Sequence, residues 1–128
     1  MNPQKILIIE DDAALRETIC DILEAANYEV KDTNNGKEGL AWHKEQLFDL
    51  IITDILMPDI DGLEIIMEIR EKYPETKLIA ISGGGYIASA QYLYAAEKLG
   101  SQKVLSKPFE NEELISKVND LLKKKPVI

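Results

Sequence analysis

Five short apolar runs punctuate the chain: KILIIE (5–10), YEVKDT (28–33), LIITD (50–54), KLIAIS (77–82) and KVLSK (103–107). Each has the length and bounding residues of a β-strand. ILII, LIIT and LIAI are continuously apolar, the pattern of strands covered on both faces, whereas YEVKDT alternates as an edge strand does. The gaps between the runs carry helical spacing. Leu15, Ile19, Ile22 and Ala26 recur at i, i+4, i+7 and i+11, which places one apolar stripe on a first helix. Leu63, Ile66, Met67 and Arg70 share a face of a third helix that Pro74 ends, and Leu114, Ile115, Val118, Leu121 and Leu122 mark a last one. The spacing also predicts a second helix from Gly36 to Gln46, diluted by two glycines, and a fourth over 88–99 with Gly100 as its C-cap.

Strand and helix alternating five times imply an α/β fold, a doubly wound five-stranded parallel sheet with helices on both faces. In such sheets polar sites gather beyond the carboxyl ends of the strands, where strand order reverses. Those ends are chemically biased here. Glu10-Asp11-Asp12 follows the first strand, Asp54 ends the third, Ser82-Gly83-Gly84-Gly85 closes the fourth and Lys107-Pro108 the fifth.

Glu10, Asp11 and Asp54 brought together would repel one another unless a cation lay between them. With oxygen ligands alone, Mg²⁺ is the natural candidate, since it accepts a few carboxylates and leaves positions for water and phosphate oxygens. Lys107 offers a fixed positive charge for an oxyanion, Ser82 a hydroxyl donor, and the glycines room for a tetrahedral group. A carboxylate held between a metal and an ammonium group can attack phosphorus to form an acyl phosphate, and Asp54 is the best placed to do so. Asp12, directly before Ala13, reads as a helix N-cap rather than a ligand.

Composition narrows the setting. A chain of 128 residues with 45% hydrophobic and 30% charged positions fits one domain spanning 1–128, with no output domain expected. Its formal charge of -8 argues against nucleic acid or an anionic membrane as partner, and the basic run Lys123-Lys124-Lys125 reads as a solvated helix end. The single cysteine, Cys20, excludes an intrachain disulfide and packs as a small hydrophobe. Without a signal-peptide pattern or a bilayer-length apolar segment, the expected location is cytoplasmic. His43, beside Trp42, Lys44 and Glu45 on the second helix, reads as a surface residue outside the chemistry.

The stretches ILIIEDDAALR (6–16), the NG of NNGKEGL (34–40), DLIITDILMPDIDGLEI (49–65), KLIAISG (77–83) and VLSKPF (104–109) resemble the receiver domains of two-component response regulators, of the stand-alone chemotaxis type. The resemblance covers nearly the whole chain. It implies the strand order 2-1-3-4-5, and phosphorylation of Asp54 by a sensor histidine kinase or a histidine phosphotransfer protein. It further implies that Asp11 and Asp54 bind Mg²⁺ directly, Glu10 through water and Leu56 through its backbone carbonyl. Ser82 is then the switching hydroxyl, Lys107 the ion-pairing lysine, and the Lys107-Pro108 bond cis. A domain of this kind catalyses only its own phosphorylation and dephosphorylation, and passes the signal to a downstream protein the sequence does not identify.

Two positions depart from the family pattern. Val104, three before Lys107, stands where an aromatic switch residue is usual. The segment from Ser82 to Lys107 is longer than in many members and carries Tyr86, Tyr92 and Tyr94, for which a core position is favoured over a partner-facing one. Leu56 and Gly84 offer no side-chain hydrogen bond to an attacking water, which suggests slow self-dephosphorylation. Two other classes stay open at the level of sequence: a constitutive interaction module that no longer signals, and a phosphohydrolase or flavodoxin-like nucleotide binder. Leu56, where aspartate-nucleophile phosphatases place a second Asp, and the position of the glycine run speak against the last two.

Overall fold

The computed structural model describes residues 3–55, 62–82 and 94–122. Strands β1 (Lys5–Ile9), β2 (Glu29–Thr33), β3 (Leu50–Asp54), β4 (Lys77–Ser82) and β5 (Lys103–Ser106) form one sheet in the order β2-β1-β3-β4-β5. Every neighbouring pair is parallel. Helices α1 (Ala13–Ala25), α2 (Gly36–Glu45), α3 (Gly62–Lys72), α4 (helical at 94–99) and α5 (Asn111–Leu122) alternate with the strands. The expected fold class and strand order are both observed, with the alternating strand β2 at one edge.

Alternation along each strand divides the core into two layers. Ile6 and Ile8, Leu50 and Ile52, Ile79 and Ile81 meet Ile19 and Leu23 of α1 and Leu114, Val118 and Leu122 of α5. Leu7 and Ile9, Ile51, Leu78 and Ala80 meet Ile65, Ile66 and Ile69 of α3 and Ala96 of α4. Burial of apolar side chains on both faces, worth roughly 1.5–3 kcal/mol each, is what holds the central strands in place.

The helix ends follow their sequences. Asp12 caps α1 by accepting the Leu15 amide at 3.2 Å, as its position predicted. Asn35 does the same for α2 through the Glu38 amide at 3.0 Å. Gly100, at φ 121°, closes α4. Cys20 packs against the α1 layer, and burial first, then the charge of Asp32, pushes its thiol up to about 12.

Three expectations fail. Met67 is 52% exposed, and the buried face of α3 runs through Gly62, Ile65, Ile66 and Ile69. The run EIIMEI places apolar residues on both sides of the helix, so periodicity alone picked the wrong side. Tyr94 is 63% exposed, with the Lys98 ammonium 5.3 Å from its ring centre, because α4 turns it away from the layer that Ala96 enters. Tyr86 and Tyr92 lie outside the described residues. His43 is fully buried rather than on the surface, since its ring bridges two connections beneath the sheet.

Candidate functional site

β1 is flanked by β2 on one side and β3 on the other, so the chain reverses direction across the sheet at the β1/β3 crevice. Ile9 pairs with Thr53, and the next residue on each strand is acidic: Glu10 and Asp54. By strand alternation Glu10 continues the Ile6–Ile8 series and Asp54 the Leu50–Ile52 series, so both carboxylates leave on the α1/α5 side. Ser82 continues the opposite series, Leu78–Ala80, and reaches the same strand-end region from the other layer.

Lys107 arrives from the far edge of the sheet. Its amide extends the β4/β5 ladder to the Ser82 carbonyl at 2.8 Å, and the following peptide to Pro108 is cis, as expected. Its ammonium lies 2.9 Å from Glu10 Oε1 and 3.0 Å from Asp54 Oδ2. Glu10, Asp11 and Asp54 each offer an oxygen within 4.8 Å of the others, with Glu10 and Asp54 buried and Asp11 exposed. Four of the sequence-selected groups therefore converge on one point, two of them from strands far apart in the chain.

The electrostatics follow from burial. Glu10 is 1% exposed, and loss of hydration pushes its carboxyl up to about 7 despite the opposing Lys107, with the neighbouring Asp54 adding to the rise. For Lys107 burial works against the charge, but the two carboxylates more than offset it and its ammonium is held above its usual range. Three carboxylates against one ammonium leave two net negative charges, the charge that one divalent cation neutralises. The Ser82 hydroxyl is buried with no hydrogen-bond partner among the described residues. A buried hydroxyl without a partner is costly, and a phosphoryl oxygen is a partner that would satisfy it. Oxygen-only donors, the charge balance and this orphaned hydroxyl together fit Mg²⁺ with a phosphoryl group beside it.

Two supporting residues escaped the sequence reading. Arg16 donates from Nη1 to the Glu10 carbonyl at 2.8 Å and from Nε to Asp32 at 2.9 Å, tying the acidic turn to α1 and β2. Gly62 starts α3 directly against the acceptor: a Cβ there would lie 2.3 Å from the Asp54 carbonyl oxygen and 2.4 Å from Ile55 Cα. Only the recurrence of a glycine shortly after Asp54 hinted at it. Val104 pairs with Ala80 in the ladder and is half-buried against the α3 layer. Leu56, Gly83, Gly84 and Gly85 lie outside the described residues.

The family model for the response regulator receiver domain matches residues 6–119. The chain belongs to that family. Receiver domains are phosphoryl-accepting switch domains of two-component systems rather than classical enzymes, and their phosphorylation uses Mg²⁺. They interact with histidine kinases or phosphotransfer proteins and with downstream targets.

This receiver domain is 34% identical over 123 residues to the transcriptional regulatory protein ResD of Bacillus subtilis, covering 96% of this chain and 50% of that protein. It is 34% identical over 119 residues to the response regulator receiver protein CpdR of Brucella abortus, covering 93% and 97% respectively. It is 32% identical over 121 residues to the chemotaxis protein CheY of Thermotoga maritima, covering 94% and 98%. The chain thus spans half of ResD and nearly all of the other two. Among solved structures, a putative response regulator from Chloroflexus aurantiacus superposes with a TM-score of 0.86 at 30% identity, covering 95% of this chain and 99% of that one. Among the described residues no helix is long and apolar enough to cross a membrane.

Proposed function

We propose that this receiver domain takes a phosphoryl group onto Asp54 from the phosphohistidine of a sensor histidine kinase or histidine phosphotransfer protein, and that the acyl phosphate switches protein contacts or is relayed onward. The observation that carries this reading is the Lys107 ammonium held between Glu10 and Asp54 at the β1/β3 crevice. In the transfer a carboxylate oxygen of Asp54 attacks phosphorus, the P–N bond to the donor imidazole breaks, and the imidazole leaves as its neutral form after taking a proton. Lys107 balances charge on the transferring oxygens, and the Ser82 hydroxyl turns to donate to one of them. Bound Mg²⁺ supplies further neutralisation of that charge. Asp11 and Asp54 would hold it directly, Glu10 through water, and the Leu56 carbonyl, outside the described residues, would complete the protein ligands.

Ser82 is the switch residue of this proposal, with Val104 in the place of an aromatic partner and packed inward already. The near-complete coverage of CpdR and CheY supports action as a single unit in the cytoplasm, without nucleic acid or membrane as a direct partner. Slow loss of the phosphoryl group, expected from Leu56 and Gly84, belongs to the same proposal. The test is intact-mass measurement after incubation with acetyl phosphate and Mg²⁺. One phosphoryl adduct in the native sequence and none in Asp54→Asn is expected; no adduct in either overturns the proposal.

A further inference from the structure

Beneath the sheet, at the end opposite the acidic cluster, a buried imidazole joins two connections. The Phe48 amide donates to His43 Nδ1 at 3.1 Å, and His43 Nε2 lies 3.0 Å from Thr76 Oγ1. A backbone N–H can only donate, so Nδ1 is unprotonated and the ring proton sits on Nε2, directed at the threonine. Phe48 stacks on the ring at 6.0 Å between centroids and Tyr73 meets it edge-on at 4.6 Å. Thr76 is held in turn by Arg70, whose Nη2 donates to its carbonyl, and by its own amide to Tyr73. One imidazole thereby fastens α2 and the approach to β3 to the α3–β4 connection.

We propose that His43 is a proton-sensitive latch: protonation at Nδ1 breaks the Phe48 bond and releases the connection between α2 and β3. A proton on Nδ1 would set two donors face to face, and a ring flip does not help, since it puts carbon where each nitrogen was. The charged groups around it give little shelter to an imidazolium. From the α3 side Arg70 brings a like charge to the same threonine. Asp49, one residue past Phe48, spends its carboxylate on the Lys5 amide at 2.8 Å. Glu75 lines the neighbouring cavity of about 420 Å³ with Phe48 and Thr76. On α2 itself Lys44 and Glu45 are exposed. Burial accordingly lowers the imidazole below its ordinary value of 6.5. Leu47, already 60% exposed, and Phe48 are the apolar residues the release would free.

The chain contains one histidine, so its imidazole signals are unambiguous in the intact protein. Long-range ¹H–¹⁵N spectra at neutral pH should show the Nε2–H tautomer, with a titration midpoint below 6.5. Between 6.5 and that midpoint, exchange of the Phe48 amide, corrected for its intrinsic rate, should quicken by up to about tenfold per pH unit. Thr76→Val, which removes the acceptor of Nε2 but not the Phe48 contact, should shift the midpoint while keeping the tautomer. An Nδ1–H tautomer, a midpoint at or above 6.5, or a Phe48 amide equally protected across the range would each overturn the latch.

Discussion

Asp54→Asn should make the metal-free protein more stable at about pH 8, although it removes a contact with Lys107. Glu10 and Asp54 are 1% and 4% exposed and share one ammonium. Burial, then Asp54, with Lys107 opposing, takes the Glu10 carboxyl from 4.5 to about 7. That rise corresponds to ~3 kcal/mol set against ionised Glu10. Burial supplies the larger part, which leaves about 1 kcal/mol for Asp54 to give up when neutralised. Lys107 keeps Glu10 at 2.9 Å in the variant. Urea unfolding should therefore show a gain of about 1 kcal/mol for Asp54→Asn without Mg²⁺, shrinking toward pH 5, where Glu10 is protonated anyway. Saturating Mg²⁺ should stabilise the native protein by mass action and the variant far less, reversing the order. A metal-free variant less stable than the native protein at pH 8 would refute the claim that the carboxylates repel.

Further outcomes follow from the same geometry. Because the folded carboxyl of Glu10 titrates near 7 and the unfolded one near 4.5, its contribution to stability is present below 4.5 and lost as pH rises through about 7. Mg²⁺ affinity measured calorimetrically should rise across that window, and Glu10→Gln should flatten the rise. Gly62→Ala forces a Cβ against the Asp54 carbonyl and should cost about 1–3 kcal/mol in urea unfolding while slowing adduct formation from acetyl phosphate. Cys20, with its thiol pushed up to about 12, should react with an alkylating reagent at neutral pH far more slowly in the folded protein than in urea.

The sheet was legible because its central strands are continuous apolar runs, a pattern imposed directly by burial on two faces. Asp12 was legible for a similar reason, since a cap bonds a residue three positions away. Glu10, Asp54 and Lys107 could be assembled from sequence only because the topology forces strand ends together; the contact between Lys107 and Asp54 spans 53 positions. Where a residue's setting depends on partners from elsewhere, the local pattern misled. His43 sits among polar neighbours on α2, yet its bond to Thr76 crosses 33 positions and no local periodicity reports it. Met67 shows the other failure, a helix with apolar residues on both sides whose buried face is chosen by the sheet. Gly62 was invisible because its role is the absence of a side chain beside the Asp54 backbone.

The central claim is that the Asp54 carboxylate is the group that receives phosphate. Borohydride reduction of the protein treated with acetyl phosphate and Mg²⁺, followed by peptide sequencing, tests it directly, because hydride converts an aspartyl phosphate, but not a free carboxylate, into homoserine. The account predicts homoserine at position 54 alone, dependent on Mg²⁺. Homoserine at Asp11 or Glu10's reduced counterpart in its place, with Asp54 intact, would contradict it.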